Sequence, residues 1–146
     1  MSAPRSSRRR QACPASGVLG VDLVEFERAG EFYRSNKNCL GDFLSRSEKR
    51  FVDGSSRPHE ALALLLAAKE AVFKALDLPW MGTEGFKAIR IGMRPGALKA
   101  SFRLGAGLSG RLDRKVPRVL FFKKTNRFVV AAFAAKSHEM ETAGSF

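Results

Sequence analysis

Ala67-Ala68-Lys69-Glu70-Ala71-Val72-Phe73-Lys74-Ala75-Leu76 sets one carboxylate and two ammonium groups inside an otherwise apolar run. Leu62, Leu65, Leu66, Phe73 and Leu76 recur at three- and four-residue spacing with no Gly or Pro between them, which predicts a helix over residues 60–77. Glu70 and Lys74 stand one turn apart on one side of that helix, with Lys69 about 100° round the axis from Glu70, so all three could hold a metal-phosphate group at once. An ordinary surface Glu-to-Lys pair has the same spacing.

Upstream, Val18-Leu19-Gly20-Val21-Asp22-Leu23-Val24 reads as a short, mostly apolar strand with a carboxylate in its middle. An ionised carboxylate taken out of water needs an Arg or Lys partner, hydrogen bonds or a cation. If strand and helix pack side by side, Asp22 and Glu70 converge on one divalent ion, and two carboxylates with open positions suit Mg²⁺ carrying a phosphate substrate. Asp22 could instead cap a helix starting near Glu25.

Between and beyond these two stretches, the pattern predicts helices over residues 25–34 and 46–53. Ser45-Arg46-Ser47-Glu48 has the spacing of a capping box, and Asp53-Gly54-Ser55-Ser56-Arg57-Pro58 has turn chemistry. After Gly85 the period changes, and residues 88–92, 98–104, 119–122 and 128–133 read as strands. Helices first and strands later give an α+β fold with an antiparallel sheet.

A chain of 146 residues fits one domain with a real core. Its longest apolar run, residues 61–68, is far short of the roughly 20 residues of a membrane-spanning helix. Cys13 and Cys39 have no metal-ligand spacing, which points to a reducing, cytoplasmic setting. The net charge of +12 has two sources. Arg5, Arg8, Arg9 and Arg10 lie in a Ser-, Pro- and Ala-rich segment, residues 1–16, expected to be a disordered extension. Its composition resembles a transit peptide, but a plain extension looks the same, and no apolar segment of export-signal length follows Arg10. The second source is Arg103, Arg111, Arg114, Lys115, Arg118, Lys123, Lys124 and Arg127. A nucleic-acid surface is one reading of it, weakened because no RNA-recognition signature, zinc module or convincing helix-turn-helix accompanies the charge.

Gly20-Val21-Asp22-Leu23-Val24-Glu25-Phe26-Glu27-Arg28, then Phe43-Leu44-Ser45-Arg46-Ser47-Glu48, then the block at residues 67–76, resembles in order and spacing the holo-acyl-carrier-protein synthase branch of the 4'-phosphopantetheinyl transferases. The likeness is clear over residues 18–76 and weaker to about Ala135. It implies a 4'-phosphopantetheinyl transferase fold, an antiparallel sheet wrapped on a long helix, over residues 17–136, with residues 137–146 as a flexible tail. It also implies a homotrimer with active sites at subunit boundaries. The chemistry it implies is transfer of phosphopantetheine from coenzyme A to a serine of an apo acyl carrier protein. Its substrates, coenzyme A and an acidic carrier protein, both favour a basic protein.

By match to the family motifs, Asp22 and Glu70 hold Mg²⁺ while Lys69 and Lys74 neutralise phosphate oxygens. Glu70, or a metal-bound water, accepts the serine proton. The resemblance also implies that Arg94 and Pro95 contribute a cofactor-binding turn and that Arg28 meets the carrier protein, a patch that Arg34, whose register no motif fixes, would extend. The chain departs from the family at Leu65, where many relatives carry Arg, and at Asp77-Leu78-Pro79-Trp80-Met81-Gly82, where they have a Gly-rich turn. It also has Lys124 where they have His; a lysine there can bind phosphate as a point charge but is a poor base. Two other functions fit these departures or the charge: a catalytically weak relative that binds coenzyme A or carrier protein, and a basic nucleic-acid-binding protein.

Overall fold

The computed structural model of the protein describes residues 17–80, 82–94, 97–105, 108 and 118–136. The N-terminal extension 1–16, Pro95, Met81, the basic residues Arg111, Arg114 and Lys115, and the tail 137–146 lie outside the described residues. The chain runs β1 (Gly17–Glu25), α1 (Phe26–Asn36), a 3-10 segment (Lys37–Asp42), α2 (Arg46–Asp53), α3 (Pro58–Ala75), α4 (Gly82–Ala88), β2 (Ile89–Arg94), β3 (Ala97–Leu104), β4 (Arg118–Lys124) and β5 (Phe128–Lys136). Strands β1, β5 and β4 form one antiparallel sheet in that order, and β2 pairs with β3 in a second.

The mixed fold and its antiparallel strands match the expectation from sequence. Helix α3 begins two residues earlier than the periodicity suggests, because Pro58 takes the first helical turn, where its missing N–H costs nothing. The expected capping box is present: Glu48 N donates to Ser45 Oγ at 3.3 Å, and Ser45 N donates to Glu48 Oε2 at 2.7 Å. The short α4 and the 3-10 segment were not expected.

Helix α3 lies across β1 and β5 and carries much of the core: Leu62, Leu65, Ala67, Ala68, Ala71 and Val72 are fully buried. Its alanines let the strand come close. A Cβ at Gly20 would lie 1.9 Å from the Ala71 carbonyl oxygen and 2.6 Å from Ala75 N, so only glycine fits where β1 presses on the helix backbone. At the end of α3, Asp77 takes a left-handed φ of 46°, the position where helices usually place glycine. Its N–H reaches Lys74 O at 3.2 Å and Leu78 N reaches Phe73 O at 3.2 Å, a Schellman closure without the glycine.

Candidate active site

Strand alternation decides where Asp22 points. Gly20 faces α3, so Asp22, two residues on, faces it as well, while Leu19, Val21 and Leu23 face away. Lys74 Nζ donates to Asp22 Oδ1 at 2.6 Å, joining strand to helix. Glu70 lies one turn earlier on α3, close enough that the Asp22 charge acts on it. Burial pushes the Glu70 carboxyl above its usual range, the Asp22 charge adds to this, and Lys74 opposes it. The same Asp22 hydrogen bond raises the Lys74 ammonium. Asp22 and Lys74 are therefore in contact, with Glu70 within range of the Asp22 charge.

Beside them opens a cleft of about 360 Å³ between the end of β1, α1 and α3, with Leu23, Val24, Arg28, Phe32, Leu66 and Glu70 on its walls. Arg28 and Glu70 thus share one cavity. Arg34, a turn and a half further along α1, is exposed and not among the residues of that cleft.

Among the described residues, no group of three or more His, Cys, Asp or Glu side chains could cage a metal. The donor chemistry is that of two hard carboxylates carrying surplus negative charge in a half-buried place. That set fits Mg²⁺, which takes one or two protein carboxylates and completes its shell with water and phosphate oxygens.

Lys69 corrects the expectation. It does not join Glu70 and Lys74; its side chain is fully buried in the core and pairs with Glu48. Nζ lies 3.0 Å from Glu48 Oε2 and donates to Phe86 O at 3.1 Å and to Ile89 O. Burial lowers its ammonium pKa and the Glu48 charge opposes that shift. Leu62, Leu65 and Val72 bury the same side of α3, so an angle of about 100° from Glu70 puts Lys69 into the core stripe.

Lys124 lies at the other end of α3. It ion-pairs with Glu60 in the first turn of α3, and its ammonium stands 5.7 Å from the Phe26 ring centroid. Glu60 also takes Arg57 Nη1 at 3.0 Å. Burial alone would raise the Glu60 carboxyl, but Lys124 and Arg57 outweigh it and hold it below its usual range. Ten residues separate Glu60 from Glu70, about 15 Å of helix axis, so Lys124 is not at the Asp22–Glu70 centre of its own chain. Glu60 carries no local motif that would have marked it as this partner. Arg94 closes β2 and is exposed.

A Gly-x-Asp strand is laid on a Lys-Glu-Ala helix, with a lysine of that helix on the strand aspartate. Residues 18–132 match the 4'-phosphopantetheinyl transferase superfamily, and the chain belongs to that family. Among curated relatives, it is similar to the holo-[acyl-carrier-protein] synthase of Clostridium perfringens (strain 13 / Type A), 37% identical over 68 residues, or 47% of this chain and 49% of that one. The like-named protein of Shewanella sp. (strain MR-7) is 37% identical over 90 residues, 60% of this chain and 71% of that one. The chain thus spans about half the length of the first of these relatives. The crystal structure of holo-[acyl-carrier-protein] synthase from Neisseria meningitidis superposes with a TM-score of 0.69 at 26% identity, covering 82% of this chain and 98% of that one. A Chronobacterium ammoniagenes synthase in complex with CoA shares the fold, with a TM-score of 0.68 at 22% identity over 84% of this chain and 98% of that one.

Proposed function

We propose that the chain transfers 4'-phosphopantetheine from coenzyme A to a serine hydroxyl of an apo acyl carrier protein in a Mg²⁺-dependent reaction, releasing adenosine 3',5'-bisphosphate. The observation that carries this reading is the Asp22–Lys74 ion pair beside Glu70, whose side chain lines a cleft shared with Arg28. The relatives bear the name of this activity, and one solved neighbour was crystallised with CoA.

In the reaction, the serine oxygen attacks the phosphorus on the pantetheine side of the pyrophosphate. The bond to the bridging oxygen breaks, and that oxygen leaves with the adenosine bisphosphate. Such transfers are governed by positioning and by neutralising charge on the phosphoryl oxygens. Bound Mg²⁺ would supply neutralisation of the pyrophosphate, held by Asp22 and Glu70. Lys74, more than half exposed, presents a cation to a phosphate oxygen. Glu70 is also the side chain placed to accept the serine proton. Arg28, on the cleft wall, gives an acidic carrier protein a point of attachment, and Arg34 extends the same helix.

The reading includes a homotrimer. The outer face of the three-stranded sheet carries cross-strand rows Leu19–Ala134–Val119 and Val21–Ala132–Phe121, with Leu19, Val21, Val119 and Phe121 exposed. A contiguous apolar sheet face of this kind is what a second copy of the chain would cover. Lys124, distant from the acid pair of its own chain, would reach a phosphate of a neighbouring subunit's coenzyme A, and Arg94 would also bind the cofactor. No described helix is long and apolar enough to cross a membrane, and a cytoplasmic setting fits the proposed substrates.

The test is incubation of the purified protein with coenzyme A, Mg²⁺ and a panel of apo carrier proteins, read by intact mass. The phosphopantetheine mass gain, lost on adding EDTA, is expected. Coenzyme A binding without product on any carrier would instead identify a catalytically weak relative, and salt-sensitive nucleic-acid binding without coenzyme A affinity would favour a basic nucleic-acid-binding protein.

A further inference from the structure

We infer that Glu48 and Lys69 are positioning residues: their buried ion pair fixes the roll of α3 and so aims Glu70 at Asp22. The inference rests on the transferase reading above. Neither side chain has any solvent-exposed surface, so neither touches substrate. Every strong polar atom of the pair is nevertheless used. Lys69 Nζ serves Glu48 Oε2, Phe86 O and Ile89 O, while Glu48 Oε1 accepts Ile91 N at 2.7 Å and Oε2 accepts Ser45 N at 2.7 Å. One network thereby ties α3 to the start of α2, the end of α4 and the strand β2.

Ala67, Ala68, Ala71 and Ala75 bury small surfaces, and the contact of Gly20 with the Ala71 and Ala75 backbone sets how closely β1 approaches. The hydrogen bonds of the Glu48–Lys69 pair to fixed backbone groups are, by contrast, directional and resist rotation of α3. Lys69 and Glu70 are consecutive, so any roll of the helix that moves one moves the other through the same angle. At a side-chain radius of about 5–6 Å, a roll of about 10° shifts the Glu70 carboxylate by about 1 Å. A displacement of that size in a catalytic group can cost about 10²-fold in rate. A buried ion pair stabilises a fold less well than apolar residues of similar volume, and its best-attested use is to specify one arrangement.

The experiment compares wild type with Glu48→Gln, Lys69→Met and a control, Val52→Ala, which removes apolar volume from the buried side of α2 while leaving every polar atom of the network in place. Folded fraction is read by circular dichroism, transfer as separate kcat and KM values, and Mn²⁺ affinity in the presence of coenzyme A by electron paramagnetic resonance. At a temperature where each variant is folded, Glu48→Gln and Lys69→Met are expected to lower kcat by about tenfold or more and to weaken Mn²⁺ binding, with KM for the carrier protein within about twofold of wild type. Val52→Ala loses melting temperature but keeps kcat and Mn²⁺ affinity. Should Lys69→Met not fold, the isosteric Glu48→Gln carries the test. Folded variants that keep wild-type kcat and Mn²⁺ affinity would overturn the inference. Mn²⁺ binding is read without turnover, so an inactive wild type that binds Mn²⁺ ends the transferase reading alone, and one that binds none ends both.

Discussion

Lys74 Nζ lies 2.6 Å from Asp22 Oδ1, and this contact joins residues 52 positions apart into one site. The lysine side chain is 53% exposed, so the pair does little for stability. The contact holds a cation beside two carboxylates and leaves part of it exposed, as the proposed phosphate contact requires. Lys74→Met is therefore expected to cost about 1 kcal/mol or less in urea unfolding, yet to lower transfer by about 10²-fold. Equal loss of stability and activity would contradict this division.

Glu70 titrates above the usual carboxylate range because burial, and then the Asp22 charge, disfavour its anion. A carboxyl that binds its proton more tightly in the folded than in the unfolded chain makes folding less favourable as pH rises from the unfolded pKa through the folded one. In the metal-free protein, carbon-detected NMR should show its midpoint raised, lowered again by Asp22→Asn and raised further by Lys74→Met. A Glu70 midpoint indifferent to Asp22→Asn would show that the two carboxylates are not neighbours.

Gly20 is where β1 meets the α3 backbone, and its missing Cβ is the space that contact needs. The clash is with main-chain atoms, which cannot swing aside as a side-chain tip can. Gly20→Ala should destabilise the protein by about 3 kcal/mol or more in denaturant unfolding and displace Asp22 with the strand. A loss under about 1 kcal/mol would mean that strand and helix separate easily.

The apolar rows on the outer sheet face predict that Val21→Glu and Phe121→Glu convert a trimer to monomers in light scattering, because a charge in each protomer would be buried against its neighbours. With Lys124 contributing across the boundary, both variants should also lose transfer. A wild type that is monomeric at assay concentrations and fully active would remove the trimer from the account.

Much of this arrangement was legible in the chain because its signals are local. The Gly20-Val21-Asp22 strand, the Ser45–Glu48 capping box and the four later strands follow from spacing, turn residues and period alone. Lys69 is instructive because Leu62, Leu65, Lys69 and Val72 form one stripe at helical spacing, so a core position was readable. Only the partner was not, since Glu48 reads locally as a capping residue and its second oxygen is engaged 43 residues away at Ile91 N. Glu60 and Lys124 are 64 residues apart and meet only through the packing of the sheet on α3, which no local pattern encodes. Helix α4 is seven residues long, too short for a period to show.

The central claim is that the carboxylates of Asp22 and Glu70 act together on the pyrophosphate of coenzyme A. Its most direct test is single-turnover mass spectrometry of an apo carrier protein with saturating coenzyme A and Mg²⁺, comparing wild type with Asp22→Ala and Glu70→Ala after circular dichroism shows all three folded. The account predicts the phosphopantetheine adduct with wild type and none with either variant. Adduct formed at the wild-type rate by either folded variant would contradict it.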